Sequence, residues 1–191
     1  MKSKNKLVSI LMNVQPIVRQ LWLFLPAFIS KMMLSFFRNG DSSISFIIRY
    51  LCVSKLAKSC GEKVIIFPGV YFFNLQNISL GTNISIHEMS YLEGYGGITI
   101  GNDVAIAHGC SMLTTDHAID NILTTVKNAK AICGEIVIGD DVWLGAGVKI
   151  LKGVFIDDHS VVGAGAVVTS NVPKWSVSVG MPAKVVRYRK Q

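Results

Sequence analysis

Between Ile138 and Thr169 the chain reads IGDDVWLGAGVKILKGVFIDDHSVVGAGAVVT. An aliphatic residue recurs at every sixth position: Ile138, Leu144, Ile150, Ile156, Val162 and Val168. Two residues before each stands another small or branched residue: Ile136, Val142, Val148, Val154, Ser160 and Ala166. A period of six fits neither an amphipathic helix nor a simple alternating strand. It fits a parallel β-helix of hexapeptide repeats, each repeat being one short strand plus one corner. Residues two apart share a strand face, so the pairs point inward and the residue between them, such as Trp143, points outward. Gly139, Gly145 and Gly163 follow inward residues where the chain must turn tightly.

The frame continues upstream through Leu80, Ile86 and Leu92, then Ile100, Ile106 and Met112, with Ile66 and Phe72 as first rungs. From Leu92 to Ile100 the step is eight, placing two extra residues in the corner Gly94-Tyr95-Gly96-Gly97. From Met112 to Ile138 the step is 26, one repeat plus a 20-residue excursion. An all-β core is therefore expected over residues 64–191, with an inserted loop at about 113–137 and a C-terminal tail after Pro173. Residues 1–63 read differently. They hold ten Lys/Arg against two acids, while the whole chain carries only +7, so the positive charge belongs to this segment.

Apolar stripes at helical spacing run through Leu7, Ile10, Leu11 and Val14, through Phe28, Ile29, Met32, Met33, Phe36 and Phe37, and through Ile44, Ile47, Ile48 and Leu51. Lys2, Lys4 and Lys6 precede an apolar run as in a signal peptide, but Asn13, Gln15 and Pro16 interrupt it. Pro26 and Lys31 likewise break the run from Leu21 to Phe37, so helices and not a crossing are expected. Basic amphipathic helices bearing Trp and Phe suit an anionic membrane interface, and equally suit packing on the β-helix or on another subunit. Nucleic acid is disfavoured, because the aromatics lie on apolar faces and do not interleave with the basic residues. Cys52, Cys60, Cys110 and Cys133 show no disulfide or metal spacing, which fits a reducing cytoplasm.

Four histidines are available for chemistry. His159 and His108 sit in corners between coils and read as structural. His87 occupies a corner beside Glu88. His117 lies where a coil gives way to the long loop, in Thr114-Thr115-Asp116-His117. A rigid edge carrying a flap suits a base that needs both access and shelter from water, and imidazole titrates near neutrality.

These segments resemble the hexapeptide-repeat acyltransferases. The resemblance rests on I-G-D-D-V-W-L-G-A-G, V-V-G-A-G-A-V-V-T, G-M-P-A-K-V-V-R, the T-T-D-H before the loop, and S-I-H-E-M-S-Y-L-E-G-Y-G-G-I-T-I-G-N-D upstream. The nearest group contains the maltose and galactoside O-acetyltransferases and the acetyltransferases of surface-polysaccharide clusters. The resemblance covers residues 64–188. It implies a left-handed parallel β-helix with an N-terminal α-helical segment, assembled as a homotrimer with active sites between subunits. It implies acetyl-CoA as donor, a sugar or lipid-linked sugar as acceptor, and no metal. His117 becomes the general base, and the Ala146 N–H donates to the oxyanion. Trp143 becomes a wall of the cleft, and Gly145 and Ala164 line the pantetheine arm. Thr169, Lys184 and Arg187 meet the nucleotide. His87, Glu88, Glu93 and Asp116 are candidates to bind the acceptor or orient the base.

The sequence departs from the family's pattern twice. Ser170 stands where many relatives have lysine, and His87 where sugar acetyltransferases often have an acceptor-binding asparagine. Other readings are acetylation of a soluble small molecule or antibiotic, a zinc-binding β-helix of the carbonic-anhydrase type, and a non-catalytic scaffold. A zinc site requires three converging histidines, and the spacing of His87, His108 and His117 contains no close pair.

Overall fold

The computed structural model describes residues 19–119 and 122–190. The stripe from Leu7 to Val14 lies outside the described residues. From residue 59 onward the chain winds as a triangular parallel β-helix with three sheet faces. The first face stacks Ser59–Cys60, Ile78–Leu80, Ile98–Ile100, Ile136–Ile138 and Phe155–Ile156. The second stacks Ile65–Ile66, Ser85–Ile86, Ala105–Ile106, Trp143–Leu144, Val161–Val162 and Ser176–Val179. The third stacks Tyr71–Phe73, Tyr91–Glu93, Ser111–Leu113, Lys149–Ile150 and Val167–Val168.

Registers follow the inward residues. Ile66 pairs with Ile86, Ile86 with Ile106, Ile106 with Leu144 and Leu144 with Val162. The six aliphatics from Ile138 to Val168 are at most 1% exposed, whereas Trp143 between two of them is 55% exposed. Burial of each such aliphatic contributes about 1.5–3 kcal/mol. No single strand of two or three residues could bury its own inner face, so the coils are stable only as a stack. Ser160, on an inward position, is also buried and satisfies its hydroxyl by donating to the Pro173 carbonyl at 2.8 Å.

The helix starts with Cys60, which pairs with Leu80 and lies one strand before the Ile66 rung. Sequence spacing hides this rung, because a cysteine stands where an aliphatic would. Phe72 holds its place on the third face but is only partly buried, packed against the core from the open end of the stack.

Two helices, α1 (Ala27–Phe37) and α2 (Ser43–Leu56), close that end. The Ser42 side chain caps α2 by accepting from the Ser45 amide at 3.2 Å. Tyr50, Leu51 and Val53 from α2 enter the core cluster, with Leu34 of α1 packed beside it. Arg49 joins the parts and is fully buried. Its guanidinium donates to the carbonyls of Phe37 (2.8 Å) and Gly40 (2.6 Å) beyond α1, and to Ile66 of the first coil (2.8 Å). Burial pulls the Arg49 pKa down to about 10, so it remains a cation at neutral pH. The outer side of α1 carries Phe28, Met32 and Phe36, all exposed. Among the described residues no helix is long and apolar enough to cross a membrane.

The excursion is an antiparallel hairpin with arms Thr115–His117 and Ala131–Cys133. Its base is tied where the Gly134 amide donates to the Thr114 carbonyl at 2.9 Å, and the coil resumes with Ile136 beside Ile98. At the far end Lys184–Tyr188 turns back antiparallel on Ser176–Val179 and covers the last strand of the second face.

Candidate functional site

His117 ends the first arm of the hairpin, at the edge between the third and first faces. A cleft of about 490 Å³ opens there, lined by His117, Asp116, Thr115, Glu93, Tyr91, Tyr95, Phe73 and Ala131. The hairpin leaves a strand whose height is set by the stack, so the imidazole stands on a rigid base.

Glu93 makes that base. It ends its strand only 7% exposed. Oε1 accepts from the Tyr95 amide at 2.8 Å, and Oε2 accepts from the Thr114 amide at 2.9 Å and the Thr115 hydroxyl at 3.1 Å. The Thr114 hydroxyl donates to the Glu93 carbonyl at 2.8 Å and accepts from the Gly96 amide at 2.8 Å. A buried carboxylate is tolerated when its lone pairs are filled this way. Glu93 therefore ties two corners together at the root of the hairpin, and among the described residues it makes no hydrogen bond to the imidazole.

Asp116 is also committed elsewhere. Its Oδ1 accepts from the His117 amide at 2.8 Å and its Oδ2 pairs with Lys152 at 3.3 Å. The amide hydrogen bond first, and then the Lys152 ammonium, hold the carboxyl below its ordinary value. Glu88 lies on another edge, 3.6 Å from His87. None of the three carboxylates orients the His117 ring. The Ala129 carbonyl, 3.4 Å from Nδ1, is what faces it. A carbonyl only accepts, so this contact favours the tautomer with hydrogen on Nδ1 and a free lone pair on Nε2. Sequence reasoning missed Ala129 because a backbone acceptor twelve residues away leaves no side-chain signal. It also missed Lys152, which the six-residue frame places at the same edge one coil above.

The remaining candidates lie on other edges or other levels. His87, Glu88, Gly145, Ala146 and Ala164 share the edge between the second and third faces. There the corners stack through Gly109 N–H to Glu88 O, Gly147 N–H to His108 O, and Gly165 N–H to Ala146 O, each 2.8–2.9 Å. At each of the last three, a glycine with φ near +70° completes the turn. Among the described residues the Ala146 N–H finds no acceptor. The His87 ring stacks on Phe67 with centroids 4.2 Å apart. Trp143 stands on the outer surface of the second face, and Lys184 and Arg187 lie exposed on the antiparallel strand that ends that sheet, separated from the Trp143 strand by Val161–Val162 and Ser176–Val179. Thr169 follows the last strand of the third face, on the His117 edge but two coils higher. A face is about six residues wide, or roughly 20 Å at ~3.3 Å per residue. One chain therefore does not bring His117 together with Trp143 and Ala146. His159 is occupied by Asp141 at 3.0 Å and stacks on Trp175. Among the described residues no group of three or more His, Cys, Asp or Glu is placed to hold a metal ion.

Known proteins share this fold. The family model for the bacterial transferase hexapeptide (six repeats) matches residues 135–170. Galactoside O-acetyltransferase of Escherichia coli (strain K12) is 35% identical over 136 residues, which is 71% of this chain and 66% of that protein. A maltose O-acetyltransferase from Clostridium difficile 630 superimposes with a TM-score of 0.76 at 29% identity, over 85% of each chain. A galactoside acetyltransferase crystallised with coenzyme A superimposes with a TM-score of 0.76 at 31% identity, over 84% of this chain and 79% of that one. With the repeat, the edge hairpin and these relatives in agreement, the chain belongs to the hexapeptide-repeat acetyltransferases.

Proposed function

We propose that this protein transfers an acetyl group from acetyl-CoA to a hydroxyl of a sugar, in a surface polysaccharide or its lipid-linked precursor, with His117 as general base. The observation that carries the reading is the His117 cleft. An imidazole with a free Nε2 faces a pocket walled by Tyr91, Tyr95 and Phe73, side chains suited to the apolar face of a sugar ring. A sugar hydroxyl is a very weak acid, so its attack on a thioester carbonyl needs a base poised near neutrality. Nε2 takes the hydroxyl proton as the oxygen–carbon bond forms. The developing oxyanion is met by the Ala146 N–H, and the carbon–sulfur bond then breaks to release the thiol.

The donor fits the other edge. The Ala146 and Ala164 corners carry only methyl side chains, so an extended pantetheine arm can lie against backbone there, bordered at Gly163 by the Val179 side chain. Lys184 and Arg187, exposed cations on the last strand of the second face, would meet the phosphates of the nucleotide, while Thr169, on the His117 edge, would reach the nucleotide only from another chain. The coenzyme A bound to the galactoside acetyltransferase supports this donor. Because base and donor edges lie on different sides of one prism, the site is completed by a second copy. Unlike edges in contact make a heterologous interface, and around a three-sided prism such an interface closes as a trimer.

The basic segment, with exposed Phe24, Phe28 and Phe36, would hold the enzyme at the cytoplasmic face of an anionic membrane, where lipid-linked sugars are assembled. The test is incubation with acetyl-CoA and a panel of sugar acceptors, reading thiol release and the mass of one added acetyl. His117→Ala should lower turnover by roughly two to four orders of magnitude. Near-normal turnover in that variant would remove His117 as the base.

A further inference from the structure

Below the His117 cleft, on the same edge, a second groove of about 570 Å³ opens between the two helices and the first coil. Three cations line it: Lys31 on α1, Arg38 just beyond α1, and Lys55 on α2. The side-chain amides of Asn74 and Gln76 stand with them, and no acid does. Among the described residues no carboxylate lies within ion-pair distance of any of the three, since the pairs formed there involve other groups. The Lys55 ammonium gives one hydrogen bond to the Leu23 carbonyl and keeps two N–H groups to give. The Arg38 guanidinium carbon lies over the Tyr71 ring, 4.4 Å from its centroid, and among the described residues its N–H groups make no hydrogen bond, so they can donate to an oxygen acceptor. Three like charges converging on one groove repel each other until an anion enters.

The groove and the cleft are neighbours on the edge. Phe72 and Asn74 line the lower space, and Phe73 between them lines the upper one. Tyr71 stacks on Tyr91, which faces His117, with centroids 5.7 Å apart. His117 leaves the third coil and Tyr71 belongs to the first, a rise of two coil spacings or roughly 10 Å. That span suits a hexose with a phosphate on its anomeric oxygen.

We propose that the groove binds the phosphate or diphosphate of the acceptor, so that the sugar is acetylated while still joined to its carrier. Lys31, Arg38 and Lys55 hold the phosphate, and a ring hydroxyl reaches Nε2 of His117. This rests on the acetyl-transfer reading for the upper cleft. A nucleotide carrier and a lipid carrier present the same sugar diphosphate here.

Two measurements on the full chain test it. In the first, inorganic pyrophosphate and coenzyme A are titrated separately into the protein and into a Lys31→Gln/Arg38→Gln variant of unchanged melting temperature. Pyrophosphate affinity should fall at least tenfold in the variant, as expected for lost charge-assisted hydrogen bonds, with coenzyme A affinity moving less than twofold. Unchanged pyrophosphate binding, or an equal loss for coenzyme A, would overturn the assignment. In the second, matched methyl glycosides, uridine-diphosphate sugars and farnesyl-diphosphate sugars compete as acceptors. A preference in kcat/KM for either diphosphate over the methyl glycoside, reduced in the variant, supports the proposal, and the better diphosphate identifies the carrier. Equal use of the methyl glycoside overturns it. If no sugar is acetylated at all, the catalytic reading fails, and the pyrophosphate titration still decides the groove.

Discussion

A site divided between two chains makes a quantitative prediction that a site within one chain cannot imitate. Two variants are needed, each crippling one edge. His117→Ala removes the base. Ala146→Pro removes the N–H assigned to the oxyanion, and the fold itself provides the precedent. The corresponding corner of the first coil is Pro68–Gly69, where Gly69 has φ +74° against +70° at Gly147. That is the second central position of a type II turn, and proline is favoured at the first. Among the described residues the Ala146 N–H finds no acceptor, and its carbonyl still accepts from Gly165 at 2.8 Å, so stability should hold. Loss of one oxyanion donor costs about 2.7–4 kcal/mol, or 10²–10³ in kcat. Equal amounts of the two inactive variants are then unfolded together and refolded, so that chains mix at random. An intact site needs a histidine-bearing chain on one side and an N–H-bearing chain on the other, each with odds of one half, so about one quarter of the sites in a closed ring recover. Thiol release from acetyl-CoA in the presence of an unacetylated sugar acceptor measures it. A mixture no more active than its parents, while size analysis shows mixed oligomers, would refute the divided site.

Other perturbations separate positioning from packing. Glu93→Gln turns one carboxylate oxygen toward an N–H donor as a second donor, losing about 1.5–3 kcal/mol for a charge-assisted hydrogen bond. It should lower kcat at least tenfold with the circular dichroism spectrum retained, and unchanged kcat would show that the hairpin root tolerates the loss. Arg49→Leu strands the carbonyls of Phe37, Gly40 and Ile66 and should cost about 3–5 kcal/mol, a fall in melting temperature of roughly 6–20 °C. Calorimetry showing less than a 2 °C change would mean that water satisfies those carbonyls. Phe28→Ser with Phe36→Ser, at sites 68% and 80% exposed, should weaken binding to anionic vesicles by about tenfold per phenylalanine without altering the melting temperature. Equal sedimentation of variant and parent would assign that face to something other than lipid.

The stacked prism was legible because its physics is periodic. Every inward position answers to the same requirement, so the six-residue frame from Ile138 to Val168 is visible without any contact being known. Where the requirement is met by an unusual residue, as at Cys60, the frame is lost, and the first strand falls within the segment read as helical. His117 could be singled out because it stands where periodicity breaks. Its surroundings could not. The Ala129 carbonyl reaches the imidazole only because the hairpin closes back on itself, and Glu93 shows its purpose only once Tyr95, Thr114 and Thr115 converge on its two oxygens. Asp116 illustrates the same limit, since adjacency in sequence suggested an orienting partner for the ring while the backbone geometry turned its carboxylate to the His117 amide and Lys152. The N-terminal charge was countable, but its gathering of Lys31, Arg38 and Lys55 around one groove depends on how the two helices pack.

The corners between the second and third faces show how a repeating backbone acquires a direction. The same turn recurs at Pro68–Gly69, Glu88–Met89, His108–Gly109, Ala146–Gly147 and Ala164–Gly165, joined by amide-to-carbonyl hydrogen bonds between neighbouring coils. Proline removes the N–H in the first coil. The next two coils carry the long side chains of Glu88 and His108, both exposed, where the upper two carry only the methyl groups of Ala146 and Ala164. On the acetyl-transfer reading, an extended thioester arm on that edge would meet the least side-chain obstruction at the upper coils, with its reactive end at the Ala146 level. The His117 hairpin leaves the coil directly beneath Ala146, so prisms packed side by side at equal height would bring one chain's base within one coil of another's Ala146. Side-chain size, varied along an otherwise uniform ladder, would then select the level at which the chemistry occurs.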